Sequence, residues 1–429
     1  MKLMIRLAML ALCAAAASSP LAAKDPVAEA QRVRIDARRI DRALAAMVAD
    51  GRAAGTSALV WQGGREVYFG TAGHADREAK RAMARDTLVQ IFSMTKPVTG
   101  VALMQLWEQG RFGLDDELAR YLPEFAAVRV YAGKGPDGTD QYRPPARPIL
   151  VRDILRHTAG FAGQGGDSPP AARFRAIKPL ELDHDLSEFG RRLAMVPLEH
   201  DPGERWQYGV AVDVQALLVE RLTGTPFAQH VQASILTPLG MHETAWRQPE
   251  NRFPRLAAFY LRQDGVLTRE SEERTRALNF RDNPLTPGGF GLASTLDDYM
   301  RFARMLLGGG MLEGKRILKP STVRLMATDQ LDPRVTDRQW LPGKGQVGFG
   351  MNFAVRKAPA ANAAENRGAV GEFFWDGAAT TLFWVDPAND LAAVFFVQTM
   401  PFDMSLHRDI RAAVYGPRYL GPAGDPGGD

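Results

Sequence analysis

Ser93 and Lys96 are the pair of residues whose types and spacing most directly suggest chemistry. A serine hydroxyl is a weak nucleophile unless a base lies within hydrogen-bond reach. Because positions i and i+3 share a face of a helix, the spacing puts the Lys96 amine beside the Ser93 hydroxyl. The free N–H groups of a helix start would face an oxyanion formed at the same place. The pattern predicts nucleophilic catalysis, although a serine that caps a solvated helix would look the same.

Periodicity predicts the elements that must position this pair. A short apolar run at 87–92 precedes Ser93, and a helical pattern from Val98 to Gly110 follows it. Two alternating runs within 55–73 predict a β-hairpin. From Val151 the periods are mostly helical, after an exposed loop at 131–147. Near the C-terminus the period changes again and predicts strands at 347–355, 371–375, 380–385 and 391–397.

Strands at both ends of the chain and helices in the middle predict an α+β fold. A sheet assembled from both chain ends would carry the helical middle as an inserted lobe, and a cleft between lobes is a common place for a site. We assign 24–419 to one two-lobed domain. Its sheet lobe covers about 24–92 and 285–415, and its helical lobe about 93–284. The Gly- and Pro-rich segment 420–429 is predicted to be disordered.

The N-terminus has the pattern of a secretory signal peptide. Lys2 and Arg6 precede an apolar run at 7–17, and small residues at 18–23 supply a cleavage region. The apolar run is too short to span a bilayer. The segment 1–23 is therefore predicted to be removed, and the mature protein to be periplasmic or secreted.

Composition narrows the possible partners. The net charge is only +4, with Lys and Arg interspersed among Asp and Glu, so no nucleic-acid partner is expected. No run after the signal reaches transmembrane length, so we expect no stable membrane insertion. Cys13, the only cysteine, lies inside the signal, and its lipidation stays open. The seven histidines never pair at metal-ligand spacing, and no metal or cofactor is expected.

Five stretches in order give a more specific indication. They are Ile91-Phe92-Ser93-Met94-Thr95-Lys96, Val151-Arg152-Asp153-Ile154-Leu155-Arg156-His157-Thr158-Ala159-Gly160, Pro202-Gly203-Glu204-Arg205-Trp206-Gln207-Tyr208, Gly288-Gly289-Phe290-Gly291-Leu292-Ala293-Ser294-Thr295 and Gly371-Glu372-Phe373-Phe374-Trp375-Asp376-Gly377-Ala378-Ala379-Thr380. With these stretches the chain resembles the serine β-lactamase and penicillin-binding-protein family, and is most similar to the class C-like branch that includes the family VIII carboxylesterases.

The resemblance implies a β-lactamase/transpeptidase-like fold, with an antiparallel sheet flanked by helices. It also implies roles for residues of these stretches. Tyr208 takes the place of the family's tyrosine, which meets the serine and the lysine as a second base. The backbone N–H groups of Ser93 and Ala378 would form the oxyanion hole. His157 is expected to pack near the site as a structural residue.

The chain departs from the lactamase pattern at two places. Val210 stands where the family often has an asparagine that contacts the acylamide group of a β-lactam. Trp375-Asp376-Gly377 stands where lactamases and peptidases carry Lys-Thr-Gly or His-Thr-Gly and bind the substrate's carboxylate. We expect Trp375, Asp376 and Gly377 to contact the substrate, and Asp376 to repel an anion. A neutral ester fits such a site better.

The resulting prediction is a secreted serine hydrolase that cleaves small-molecule carboxylic esters through an acyl-enzyme on Ser93, with Lys96 and Tyr208 moving protons. Among enzymes, the alternative is a β-lactamase or a peptidase acting on D-amino-acid peptides. The alternative that is not an enzyme is an acyl-binding sensor, which would be acylated once and stall. Repeated turnover of a chromogenic ester distinguishes the sensor from the hydrolase.

Overall fold

An antiparallel sheet built from both ends of the chain is the central element of the fold. The computed structural model describes residues 32–362, 364–417 and 419, so the predicted signal peptide and the predicted disordered tail lie outside the described residues. The strands are β1 Gly55–Gln62, β2 Arg65–Asp76, β3 Arg81–Ala82, β4 Val89–Gln90, β5 Val130–Lys134, β6 Asp140–Arg143, β7 Tyr260–Gln263, β8 Val266–Arg269, β9 Ala293–Ser294, β10 Met311–Leu312, β11 Lys315–Arg316, β12 Val347–Phe349, β13 Ala354–Arg356, β14 Phe373–Asp376, β15 Leu382–Asp386, β16 Leu391–Phe396 and β17 Thr399–Met400.

Within the described chain, eight of these strands form the main sheet in the order β12-β13-β14-β15-β16-β1-β2-β3. The predicted hairpin is β1–β2, in which Gln62 pairs with Arg65. On its other edge β1 pairs with β16, from Ser57 opposite Phe396 onward. All neighbours in this sheet run antiparallel. The predicted fold class is confirmed.

Helices cover both faces of the sheet. They are α1 Ala37–Ala49, α2 Thr95–Glu108, α3 Val151–Leu155, α4 Pro169–Ile177, α5 Leu186–Ala194, α6 Ala211–Thr223, α7 Phe227–Val231, α8 Thr237–Leu239, α9 Glu272–Ala277, α10 Leu296–Leu307, α11 Pro320–Met326 and α12 Met404–Tyr415. Successive strand residues point to opposite faces. Phe383 packs on Tyr299 of α10, and Trp384 packs on Tyr415 of α12. With helices on both sides, every residue of β15 and β16 is buried.

The middle of the chain is less purely helical than its periodicity predicts. The segment predicted as an exposed loop at 131–147 contains the β5–β6 hairpin, in which the rings of Tyr131 and Tyr142 lie 5.8 Å apart. Gly and Pro residues on both sides of these short strands mask the alternation in the sequence. A second hairpin, β7–β8, joins β17 in a separate sheet, because Tyr260 pairs with Thr399. The boundaries of the two lobes stay a prediction.

The backbone around Ser93 is a tight turn at the start of α2. The strand before it is shorter than predicted: β4 pairs with β9, with Val89 opposite Ser294, and Leu88 forms an isolated bridge with Leu256. Phe92 then adopts a φ of +45°, a conformation that costs a non-glycine residue energy and often occurs at active sites. Ser93 lies in a 3₁₀ turn, Phe92–Met94, and α2 follows directly. The hydroxyl of Tyr299 donates to the Met94 carbonyl at 2.7 Å and fixes this turn to α10.

Candidate active site

Ser93 and Lys96 meet as their spacing predicts. The Lys96 Nζ atom lies 3.1 Å from the Ser93 Oγ atom, within hydrogen-bond distance. Lys96 is buried, and its amine also donates to the carbonyl of Gly289 at 2.6 Å. Ser93 is half-buried. The amine is therefore held against the hydroxyl by a second contact on its far side.

Tyr208 completes a cluster of three. The Lys96 Nζ atom lies 4.6 Å from the centre of the Tyr208 ring. Two backbone hydrogen bonds hold the loop that carries Tyr208. The N–H of Tyr208 donates to the Gln339 side chain at 3.1 Å, and the N–H of Gln207 donates to the His157 carbonyl at 2.8 Å. The structure thus brings the predicted serine, lysine and tyrosine together.

His157 lies under this cluster as a buried, uncharged ring. It is 1% exposed, and its ring centre is 5.0 Å from that of Tyr208. Burial, reinforced by the charge of Lys96, holds the pKa of His157 well below its usual range. Neither ring nitrogen has a hydrogen-bond partner among the described residues. An uncharged ring without partners fits the structural role predicted for His157.

Asp213 is a buried carboxylate near the cluster that sequence reasoning missed. It is 2% exposed and accepts the Gly289 N–H at 2.9 Å, while the Gly289 carbonyl accepts from Lys96. Burial raises the pKa of Asp213 to about 6, and the Lys96 charge opposes that rise. A side chain at position 289 would put its Cβ atom 2.9 Å from the Asp213 carboxylate, so this approach requires glycine. The sequence held one indication of this carboxylate: Asp213 is the only acid in the apolar run 211–219, all of which is buried in the structure.

The predicted oxyanion-hole turn lies close to Ser93. A Cβ atom on Gly377 would lie 2.4 Å from the carbonyl oxygen of Ile91, so glycine allows the end of β14 to approach the Ser93 turn. Thr380 has a φ of +68° and closes the turn. Ala378 is exposed, and its N–H donates to no other group in the described part of the chain. A free N–H next to the Ser93 turn is what an oxyanion hole requires.

Trp375 and Asp376 do not lie where the sequence-based prediction put them. Trp375 has no exposed surface and packs on Tyr208, with ring centres 5.4 Å apart. Asp376 is 7% exposed and forms an ion pair with Lys344. Neither side chain is available to a substrate, which corrects the prediction that they contact it. The expected repulsion of anions by Asp376 also fails, because Lys344 compensates its charge.

Lys344 and His407 hold both ends of the turn that carries Ala378. The Lys344 ammonium lies 5.0–5.2 Å from three ring centres, those of Trp340, Trp375 and Phe402. The Nδ1 atom of His407 lies 3.9 Å from the Asp376 carboxylate, before the turn. Its Nε2 atom contacts the Thr380 carbonyl at 3.0 Å, after the turn.

Because a carbonyl can only accept, Nε2 of His407 carries the proton. Burial lowers the pKa of His407 to about 4, although the Asp376 charge acts in the opposite direction. The ring is therefore neutral near pH 7. Nδ1 of the neutral ring then carries no proton and cannot donate to Asp376, so His407 bonds the turn at the Thr380 carbonyl only.

A cavity of about 600 Å³ opens over the cluster. Lys96, Tyr208 and Asp213 contribute to its wall, together with Val210 in place of the family's asparagine. Trp340 lines it with a side chain that is 45% exposed. Among the described residues no group of acids, histidines or cysteines could hold a metal ion. No helix in this part of the chain is long and apolar enough to cross a membrane.

Comparison with known proteins agrees with this geometry. The Beta-lactamase family profile matches residues 40–416. An uncharacterized protein of Mycobacterium tuberculosis is 36% identical over 375 residues, which are 85% of this chain and 90% of that protein. Esterase EstB of Burkholderia gladioli is 30% identical over 415 residues, covering 92% and 99% of the two chains.

A solved structure is similar over nearly the same length. It is EstCE1, described as a hydrolase with promiscuous acyltransferase activity, and it superposes with a TM-score of 0.73 at 25% identity. The match covers 91% of this chain and all of that one. Profile, relatives and structure agree over most of the chain, and the chain therefore belongs to the beta-lactamase family of serine hydrolases.

Proposed function

We propose that the protein hydrolyses carboxylic esters through an acyl-enzyme on Ser93. The observation that carries the proposal is the 3.1 Å contact between Ser93 Oγ and Lys96 Nζ, with the ring of Tyr208 beside the same amine. The Gly289 carbonyl accepts from the same amine at 2.6 Å, so the group that would take the Ser93 proton is held in place by a second partner.

The reaction then runs in two halves. Ser93 Oγ attacks the acyl carbon, and the N–H groups of Ser93 and Ala378 stabilise the oxyanion of the tetrahedral intermediate. The proton taken from Ser93 passes through Lys96 and Tyr208 to the leaving alcohol. Water, activated by the same groups, then releases the acid and restores Ser93.

An uncharged ester is the substrate class that the site favours. The cation nearest to the third motif, Lys344, is paired with Asp376 and screened from the cavity by Trp340 and Trp375. Arg205, at the cavity wall, is paired with Glu204 and Asp337. A substrate carboxylate would find no free partner at these groups. The similarity to an esterase supports the same choice.

Transfer of the acyl group to an alcohol is a second candidate reaction, since the similar structure EstCE1 is described as having promiscuous acyltransferase activity. An alcohol would take the place of water in the second half of the reaction. Product analysis with and without an added primary alcohol separates the two reactions. Free acid alone indicates hydrolysis, and a new ester indicates transfer.

The test of the proposal is turnover of p-nitrophenyl acetate by the wild type and by Ser93→Ala. We expect the variant to lose roughly a factor of 10⁶ in kcat, as systems that lose their nucleophile do. Ser321→Ala, on the exposed face of α11, is the matched control and should keep full activity. Retention of a tenth of the activity by Ser93→Ala would refute the assignment.

The same assay decides between the alternatives. A single stoichiometric burst without further turnover would favour the acyl-binding sensor. Penicillins and D-alanyl peptides serve as competing substrates. If either were hydrolysed as efficiently as the acetate ester, the lactamase or peptidase alternative would replace the esterase.

Export to the periplasm or the medium is proposed as well, supported by the charged and apolar pattern of residues 1–23. The mature N-terminus should follow Ala23. Fractionation of cells that express the full chain measures export, and N-terminal sequencing of the product locates the cleavage site. An uncleaved chain in the cytosolic fraction would contradict export.

A further inference from the structure

A second and larger cavity adjoins the one over the catalytic cluster. Its volume is about 940 Å³, against about 600 Å³ for the first. Gln164, Phe174 and Leu180 line both cavities, so the two are direct neighbours. Pockets for whole drug-sized ligands usually measure about 300–1,000 Å³. A short ester would leave this second space empty.

The chemistry of the second cavity is apolar within and balanced in charge at its edge. Leu182, Ala277 and Pro284 extend the apolar surface begun by Phe174 and Leu180. The charged residues that line the edge are three cations and three acids: Arg175, Lys178 and Arg281 against Glu181, Asp183 and Asp282. Lys178 pairs with Glu181, Arg281 with Glu273 and Asp282 with Arg247, while Arg175 donates to backbone carbonyls. The edge therefore carries no net charge that would favour an ionised ligand group.

A glycine-rich loop borders both spaces without filling them. Gly163, Gly165 and Gly166 line the first cavity, and a Cβ atom added to any of the three would meet no atom within 4 Å. The Arg175 side chain donates to the carbonyls of Gln164 and Gly166 at 3.1 and 2.7 Å. The loop is thus held from the side of the second cavity, and its glycines add no side chains to the space beside Leu180.

We propose that the second cavity is a subsite for the distal, uncharged and mainly apolar part of an elongated ester. The inference rests on the proposed ester hydrolysis, and it names the substrate class of that site. The scissile carbonyl lies at Ser93, and the chain of the substrate runs past Leu180 onto Leu182 and Ala277. Two chain-length series, one in the acyl group and one in the alcohol, show which end of the ester enters.

The test measures kcat/KM for p-nitrophenyl esters from acetate to decanoate and for acetate esters of alcohols of increasing length. In one series, each methylene that reaches the second cavity should raise kcat/KM by about twofold to fourfold, as expected for burial of apolar groups. Ala277→Trp should fill the cavity and lower kcat/KM at least about tenfold for the long esters. The acetate ester should change by less than about twofold.

Two further variants make the test independent of folding defects. Leu182→Trp fills the same cavity from another element and should give the same pattern. Val266→Trp is the matched control, because Val266 is 63% exposed and lines neither cavity. Acetate turnover without any dependence on chain length, or equal losses for short and long esters in both filled variants, would overturn the subsite. Failure to turn over any ester would instead refute the proposed function.

Discussion

Replacement of Lys344 by methionine should destabilise the protein strongly, although Lys344 lies in none of the motifs. The side chains of Lys344 and Asp376 are 3% and 10% exposed, so solvent hardly screens their ion pair. Lys344→Met leaves the Asp376 carboxylate buried without its cation, and His407 at 3.9 Å is neutral near pH 7. Removal of one partner of a buried pair costs about 3–5 kcal/mol. That is a large share of a typical unfolding free energy of about 5–15 kcal/mol.

The same substitution should lower kcat more than it raises KM. Asp376 directly precedes Gly377 and Ala378, and the proposed oxyanion donor is the Ala378 N–H. Loss of one oxyanion-hole donor typically costs about 10²–10³ in kcat. If Lys344→Met displaces the turn, kcat should fall by nearly that factor. KM should change less, because ground-state binding of a neutral ester depends little on the oxyanion donor.

A double substitution separates charge from packing. Lys344→Met with Asp376→Leu removes both charges, and replacement of a buried ion pair by apolar residues is often neutral or stabilising. We expect the double variant to recover most of the unfolding free energy lost in Lys344→Met. Lys344→Arg should recover part of both stability and kcat, since it restores the charge.

Urea denaturation at pH 7 measures the stability changes, and ester hydrolysis measures kcat and KM. Lys357→Met is the matched control: its ion pair with Asp329 is half exposed on the lysine side, and such pairs contribute about 0–1 kcal/mol. If Lys344→Met unfolded within about 0.5 kcal/mol of the control, or if the double variant were no more stable than Lys344→Met, the reasoning would be wrong.

Two further predictions concern the catalytic cluster. Tyr208→Phe should keep the fold and lower kcat by about 10²–10⁴, the usual range for general acid–base catalysis, whereas the exposed Tyr142→Phe should leave kcat unchanged. An unchanged kcat in Tyr208→Phe would show that the hydroxyl moves no proton and that the ring only packs. Asp213 has a pKa of about 6 against a usual 3.8, so the folded state binds this proton more tightly than the unfolded state. The contribution of Asp213 to the free energy of unfolding therefore falls by about 3 kcal/mol as the pH rises from 3.8 to about 6. The difference in the free energy of unfolding between Asp213→Asn and the wild type should therefore be more favourable to the variant at pH 8 than at pH 4. The same difference at both pH values would contradict the argument.

The local features of this protein follow from its sequence. Helical spacing predicts the contact between Ser93 and Lys96, and alternation along two adjacent runs predicts the hairpin of β1 and β2. The requirement for glycine at 377 came from the tertiary structure instead, because there the end of β14 approaches the Ile91 carbonyl too closely for a Cβ atom. Family resemblance, rather than periodicity, pointed to Tyr208 and Ala378.

Only the tertiary structure determined how charge is distributed around the site. Lys344 reaches Asp376 from a separate 3₁₀ turn, and Asp213 reaches the cluster through the backbone of Gly289. No periodic signal encodes such pairs, because their members are far apart in sequence and their energy depends on burial. For the same reason Asp376, which next to Trp375 looked like a substrate-facing acid, is a buried ion-pair partner: successive strand residues point to opposite faces, and only packing decides what each face meets.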